Sequence, residues 1–306
     1  LKVHHVLPAS HEGRSYVVAI GFFDGFHRGH QAIVRDLQRI RRPGERSAVI
    51  TFAAHPTAFL RPGQEPPMIM TLEERINSFA RAGIDEAFVL EFDAAIATLA
   101  PAAFLDETLV GRIGARAMVV GENFRFGAKR AGDAGFARAH LHERGLRFVA
   151  VPNEQLDGER VSSTRVRAAI AAGDIALADR LLGSSYTLRG RVGLGFGRGH
   201  DLGFPTANIA VPPEKMLPPD GVYTITGRHD GRDYRGLVSI GTNPTFDGTQ
   251  RTVEAWLLDY TGSLYGEELA IRDLRFVRGQ LRFERVEELL EQIRADAAAV
   301  RFPSFT

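Results

Sequence analysis

The sequence predicts two folded units in tandem, an α/β unit built on a parallel sheet and then a smaller antiparallel β-barrel with a terminal helix. Three observations carry this. At 306 residues the chain exceeds what one core comfortably fills, so two domains are the default. In the first half, apolar strand-like runs alternate with segments at helical spacing, the pattern of a parallel sheet covered on both faces. Past Tyr186, short stretches of Val, Ile, Thr and Tyr alternate with Gly, Pro and Asp turns, which suits an antiparallel barrel. The natural cut falls near residue 185, giving units 1–184 and 185–306.

Taken in order, residues 16–21 read as the first strand, followed by a loop rich in glycine and histidine. Ile33, Val34, Leu37 and Ile40 then recur at helical spacing until Pro43-Gly44 stops the helix. Residues 47–53, 86–92, 116–121 and 147–152 are the next strands, with helical stretches between them. The run 117–120 lacks alternation, as expected of a strand buried on both sides. Residues 163–172 and 174–182 read as helices, with Gly173 and Gly183 where left-handed caps are needed. Asp230-Gly231, between strands at 221–226 and 234–240, is a hairpin signal, and 252–260 is a further strand. Val286, Leu289, Leu290, Ile293 and Val300 form the apolar stripe of a closing helix.

Composition narrows the function classes. There is no cysteine, which excludes disulfides, thiolate metal sites and cysteine nucleophiles. No apolar run approaches the roughly 18 residues that cross a bilayer, and residues 1–10 lack the charged-then-apolar order of a secretory signal. A cytoplasmic enzyme with no membrane partner fits. The net charge of +1 argues against nucleic acid as a partner. The one basic cluster, Arg39, Arg41, Arg42 and Arg46, falls at a helix end, where basic residues are dipole-favoured. Nothing in the sequence dictates an oligomeric state.

The densest chemistry is Gly21-Phe22-Phe23-Asp24-Gly25-Phe26-His27-Arg28-Gly29-His30, which leaves the first strand and enters the first helix. Such a glycine-bearing turn lets backbone N–H groups approach phosphate oxygens, aided by the helix N-terminus. His27 and His30, three apart, share a face and can donate hydrogen bonds to a phosphoryl group as its charge develops. A lone His-x-x-His is more often surface decoration. Zinc is the other alternative, but the metalloprotease His-Glu-x-x-His is absent.

The whole string resembles the Gly-x-Phe-Asp-Gly-x-His-x-Gly-His signature of prokaryotic bifunctional riboflavin kinase/FMN adenylyltransferases (FAD synthetases), with cytidylyltransferases and pantetheine-phosphate adenylyltransferases carrying related forms. The resemblance implies a Rossmann-like nucleotidyltransferase domain. It also implies that His27 and His30 meet the triphosphate of ATP, while Gly21, Phe23, Asp24, Gly25 and Gly29 shape the pocket. Val161-Ser162-Ser163-Thr164-Arg165-Val166-Arg167 is similar to the family's Ile-Ser-Ser-Thr-x-x-Arg. Ser163, Thr164 and Arg167 can then hold the leaving pyrophosphate, a role compatible with helix capping. Thr51-Phe52-Ala53-Ala54-His55-Pro56 and Gly121-Glu122-Asn123-Phe124-Arg125-Phe126-Gly127 resemble two further family strings and point to a flavin acceptor. His55, Pro56 and Asn123 are candidate flavin contacts, with Phe104 and Phe126 as stacking rings, although a phenylalanine alone is more often core. Ala54 departs from the family's proline.

In the second half, Gly193-Leu194-Gly195-Phe196-Gly197-Arg198-Gly199 is neither a dinucleotide fingerprint nor a Walker loop. It precedes Leu202-Gly203-Phe204-Pro205-Thr206-Ala207-Asn208, which resembles the Gly-Phe-Pro-Thr-Ala-Asn signature of riboflavin kinases. Thr206 and Asn208 offer hard oxygen ligands suited to Mg²⁺ shared with ATP, and Gly195, Gly197 and Gly199 can close over its phosphates. Residues 241–246 and 264–266 also resemble family strings. The family's catalytic glutamate falls at Glu254, on a strand face shared with Trp256 and Leu258. Pointing into the active cavity it would accept the proton of the riboflavin 5′-hydroxyl; without the resemblance, a barrel-surface glutamate is the simpler reading. Trp256 stands where relatives commonly carry histidine. Arg278 and the closing helix are flavin-side candidates by location.

The resemblance spans residues 17–301 and implies a two-step activity, riboflavin to FMN and FMN to FAD, with ATP consumed at both. Two narrower readings are a chain with one degenerate domain and a flavin-storing protein. The intact phosphate-contacting positions argue against the first, and retention of Asp24, His30, Thr206 and Asn208 argues against the second, since storage needs no triphosphate chemistry.

Overall fold

The computed structural model describes residues 1–193, 206–242, 251–283 and 285–301. The chain divides into two compact units, Leu1–Ser163 and Thr164–Thr306. The cut near 185 follows composition, a different criterion from compactness, and the helices spanning 163–182 lie between the two marks.

The first unit is built on a six-stranded, wholly parallel sheet. Its strands are β1 (Lys2–His4), β2 (Tyr16–Ile20), β3 (Arg46–Phe52), β4 (Glu86–Leu90), β5 (Ala115–Gly121) and, after the short β6 (Arg125–Phe126) and β7 (Gly132–Asp133) ribbon, β8 (Arg147–Val151). The spatial order is β1-β4-β3-β2-β5-β8. The five apolar runs of the sequence are all strands; only β1 escapes the pattern, because Lys-Val-His has no apolar run. It is held instead by pairing with β4 and by His4, which bonds the buried Glu86 at 2.6 Å and stacks on Phe88.

The lack of alternation in these strands has its cause in two cores. On β2, Val17 and Ala19 face one cluster while Tyr16, Val18 and Ile20 face the other. The first is covered by α1 (Arg28–Ile40) through Ile33, Val34 and Leu37, and by α3 (Leu72–Arg81) through Phe79, with the short α2 (Pro56–Leu60) before it. The second is covered by a ten-residue π-helical segment, Phe104–Ile113, and by α6 (Ala134–His142); α4 (Ala94–Thr98) and α5 (Pro101–Ala103) lead into it. Strand order reverses about β2, with β3 and β4 on one side and β5 and β8 on the other. In open α/β sheets, ligands bind outside the carboxyl ends of the strands at such a switch point.

The second unit begins at Thr164, within α7 (Ser163–Ala171), and continues with α8 (Ile175–Leu182). Gly173 and Gly183 take the expected positive φ, 77° and 71°, and Asp174 caps α8 through Leu177 N–H at 2.9 Å. Strands β11 (Leu188–Gly193), β12 (Ala207–Ala210), β13 (Gly221–His229), β14 (Arg232–Thr242), β15 (Arg251–Leu257) and β16 (Glu268–Arg278) close an antiparallel barrel in the order β11-β12-β15-β14-β13-β16. Here β9 (Gln155–Leu156) and β10 (Glu159–Arg160) are a small hairpin of the first unit. Asp230-Gly231 makes the two-residue hairpin, both with positive φ, as a type I′ turn demands. The closing helix, α9 (Val286–Arg301), lays Val300 and Ala297 on Val222, Leu237, Trp256 and Leu258. Of the expected stripe, Leu289, Leu290 and Ile293 are half-buried, and the side chain of Val286 lies outside the described set.

Candidate active sites

In the first unit, β2 ends at the switch point and the chain turns sharply into α1. Phe23 (φ 58°), Gly25 (φ 81°) and Phe26 (φ 40°) all sit in the left-handed region, which costs a side-chain-bearing residue roughly 1–2 kcal/mol. Such strain persists only where the surroundings fix it, and it gathers at functional sites. Here the ring of Phe23 is buried against Phe79 and His30. The buried Asp24 accepts from the amides of Ile69 (3.2 Å) and Met70 (2.9 Å), and its carbonyl accepts from the Ser163 hydroxyl at 2.9 Å. Asp24 therefore shapes the turn with its carboxylate directed at protein amides. Asp24→Ala leaves two inward-facing N–H groups unpaired, at about 1–3 kcal/mol each. A lowered urea midpoint for this unit is the expected result.

His27 is the N-cap of α1: its Nδ1 accepts from the backbone N–H of His30 at 3.3 Å. The ring proton of the neutral form is therefore on Nε2, a donor at the other edge of the ring. The two imidazoles stack, centroids 3.6 Å apart at 16°. Gly29 admits this arrangement, since a Cβ there would stand 3.2 Å from the His27 ring. Desolvation, reinforced by the neighbouring His27, holds the His30 imidazole well below its ordinary value of 6.5, and among the described residues its buried Nδ1 has no hydrogen-bond partner.

The unfolded chain therefore takes up the His30 proton at a higher pH than the folded one. Stability from this group is complete above about pH 6.5 and is lost as pH falls below it. The urea midpoint of the first unit is expected to fall between pH 7 and 5, with a shallower slope in His30→Gln.

The turn and its histidines form one wall of an open cleft of about 230 Å³. Gly21, Phe23, His27, Gly29 and His30 line it, opposite Gly121, Asn123 and Phe124 from the end of β5 and Asn153, Glu154, Arg160 and Ser162 beyond β8.

In the second unit, strand register brings the motif residues together. Asn208 on β12 lies opposite Glu254 on β15, and Glu254 lies opposite Ser239 on β14. Directly opposed residues share a face of the sheet with side chains in reach of one another. All three are half-exposed, while Ala207, Ile209, Val253, Ala255, Val238 and Ile240 between them are buried. The polar row thus runs over the outer face of the barrel. Glu254 Oε1 lies 3.5 Å from the Thr252 hydroxyl. Glu254 and Trp256 share this face as expected, and Leu258 follows the end of β15, buried under α9. Thr206 is exposed just before β12.

Residues 9–165 match the FAD synthetase family and residues 182–302 the riboflavin kinase family. The chain is 37% identical to the bifunctional riboflavin kinase/FMN adenylyltransferase of Pseudomonas fluorescens, over 98% of this chain and 95% of that protein. The Bacillus subtilis protein of that description is 33% identical over the same shares. The chain belongs to the bifunctional riboflavin kinase/FMN adenylyltransferase family. A crystal structure described as a macrolide-efflux protein from Streptococcus pneumoniae superposes with a TM-score of 0.89 at 29% identity, covering 99% of this chain and all of that one. Among the described residues no helix is long and apolar enough to cross a membrane.

The remaining residues named from the bifunctional family's motifs are placed as follows. Phe104 and Phe126 are 5% and 7% exposed and belong to the core. They sit 5.8 Å from each other, and Phe126 stacks on Phe124. The half-buried Phe124 is the ring of this group that reaches the cleft; aromatic spacing in the sequence does not say which face a ring takes. Asn123 is exposed on the cleft wall. His55 caps α2 by accepting from Thr57 N–H, its ring edge-on to Phe22 at 4.8 Å, and Pro56 opens that helix. Thr164 is exposed in the first turn of α7, and Arg167 is half-buried one turn on. Arg278 grips the buried Asp296 of α9 with three hydrogen bonds of 2.7–3.1 Å, which makes it a strut between β16 and the helix. Gly195, Gly197 and Gly199 lie outside the described residues, as do 203–205 and 243–246.

Sequence reasoning missed Arg75. Its signal is a charge on the apolar face of α3, one turn before Phe79 and behind the Thr71/Glu74 capping box.

Proposed function

We propose that the barrel unit transfers the γ-phosphoryl group of ATP to the riboflavin 5′-hydroxyl, giving FMN and ADP. The α/β unit then joins the FMN phosphate to the α-phosphorus of a second ATP, giving FAD and pyrophosphate. The observation that carries this reading is the placement of each signature. The histidine pair lines a cleft at the sheet's switch point, and the Asn208–Glu254 pair is in register on one barrel face.

In the adenylyl transfer, the glycine turn and α1 N-terminus receive the triphosphate. His27 Nε2–H and the neutral His30 donate to phosphoryl oxygens as charge builds up on them. Ser163 holds the departing pyrophosphate. Attack by the FMN phosphate oxygen needs no strong base, so alignment dominates. Asn123 and Phe124, with the His55–Pro56 loop, are on the flavin side.

In the kinase step, Glu254 accepts the 5′-hydroxyl proton as the oxygen attacks the γ-phosphorus and ADP leaves. Thr206 and Asn208 fit a magnesium ion: one hydroxyl just before β12 and one amide oxygen on it, both hard donors, with Asn208 in register with the Glu254 carboxylate. When bound, Mg²⁺ neutralises charge on the phosphates. An ATP-consuming pair of this kind suits the cytoplasm. Purified protein with riboflavin, ATP and Mg²⁺ should accumulate FMN and then FAD on a chromatogram; a mixture that stays riboflavin contradicts the proposal.

A further inference from the structure

We infer that Arg75 sets the spacing between the phosphate turn and the His55–Pro56 loop, and is thereby a positioning residue for adenylyl transfer. This rests on the reading that the α/β unit makes FAD.

Arg75 is 1% exposed. Its Nη1 donates to the Phe22 carbonyl (2.9 Å), the Thr51 hydroxyl (3.0 Å) and the Phe52 carbonyl (3.1 Å), and Nη2 donates to the Ala53 carbonyl (3.2 Å). The guanidinium lies 4.2 Å over the Phe22 ring, and that ring meets His55. None of these acceptors belongs to α3, the helix that carries Arg75. Phe22 belongs to the turn after β2, which presents the histidines; Thr51 and Phe52 end β3, and Ala53 follows it on the way to His55. Three carbonyl oxygens converge at this point, and the cation between them removes their mutual repulsion. The tie is reciprocated, since the amides of Ile69 and Met70, just before α3, hold the Asp24 carboxylate of the same turn. Burial draws Arg75 down to about 10, so it remains a cation at neutral pH.

Stability alone is a poor reason for this residue. Its buried Nε has no hydrogen-bond partner among the described residues, and a desolvated charge with an unmet donor is a costly way to fill space. What a planar fork supplies is fixed geometry, several acceptors held at once in set directions. Between an ATP-side turn and a flavin-side loop, that geometry decides whether acceptor and phosphorus are in line, and a misplacement of about 1 Å can cost ~10²-fold in rate.

The test uses the full-length chain with Arg75→Lys and Arg75→Met, reading FMN adenylylation and riboflavin phosphorylation separately in each, with melting midpoints as the check on folding. The expected result is a kcat for FAD formation lowered at least tenfold in Arg75→Lys and further in Arg75→Met, at wild-type kinase rate. The partial rescue by lysine marks a positional role. Where Arg75→Met does not fold, Arg75→Lys alone decides. Folded variants with wild-type kcat and KM for FMN overturn the inference, as does an equal fall in both activities. Wild-type protein that makes no FAD would instead sink the functional reading beneath it.

Discussion

His30→Ala should lower FAD formation from supplied FMN by about 10²–10³, the usual cost of one preorganised donor to a developing oxyanion, while riboflavin phosphorylation continues at the wild-type rate. The size of the effect follows from the environment of the ring. His30 is stacked on His27, edge-on to Phe23 and kept neutral by desolvation. A neutral imidazole so packed costs no reorganisation when charge builds on a phosphoryl oxygen, and in a partly dry cleft each such hydrogen bond is worth more than in water. The selectivity follows from the fold: His30 belongs to the first compact unit and the Asn208–Glu254 row to the second. Separate assays of the two half-reactions on one preparation check both halves of the prediction. Equal loss of both activities in a variant that melts like the wild type would contradict two separate sites.

Glu254→Ala should give the converse, a fall in FMN formation of about 10²–10⁴, the range for removing a positioned general base, with adenylylation of added FMN intact. Phosphoryl transfer leans on charge stabilisation and alignment, so the lower part of that range is expected. Glu254 stands between Asn208 and Ser239 in register and is half-exposed. A small substitution there opens no core cavity, and the barrel should melt close to the wild-type temperature. A Glu254→Ala protein that phosphorylates riboflavin normally would return this residue to the barrel surface.

How much of this was legible in the sequence depended on the range of the interactions. The five apolar-run strands, the capped helices around Gly173 and Gly183 and the Asp230-Gly231 hairpin are written in local pattern and turn chemistry, and the structure has them at the expected places. Strand β1 was invisible because it is fixed by partners more than 80 residues away, through His4 and Glu86. The π-helical stretch 104–113 has no local sign that separates it from an α-helix.

At the sites, motif strings brought His27, His30, Asn208 and Glu254 to attention, but not what each touches. That Asp24 is spent on the amides of Ile69 and Met70, that Phe104 and Phe126 turn into the core, and that Arg278 is bound to Asp296 are all consequences of long-range packing. Arg75 shows the same limit in reverse. Nothing in Leu-Glu-Glu-Arg says that the arginine points inward until the carbonyls of Phe22, Phe52 and Ala53 are seen around it.

The central claim is that one polypeptide runs two chemically distinct transfers from ATP, the γ-phosphoryl group in one unit and the adenylyl group in the other. It is tested most directly by supplying unlabelled riboflavin with ATP carrying distinguishable labels at its α- and γ-phosphorus and isolating the FAD formed. The predicted product holds one phosphorus from each position, and the FMN intermediate holds γ-label only. FAD free of γ-label, or flavin recovered only as γ-labelled FMN, would contradict it.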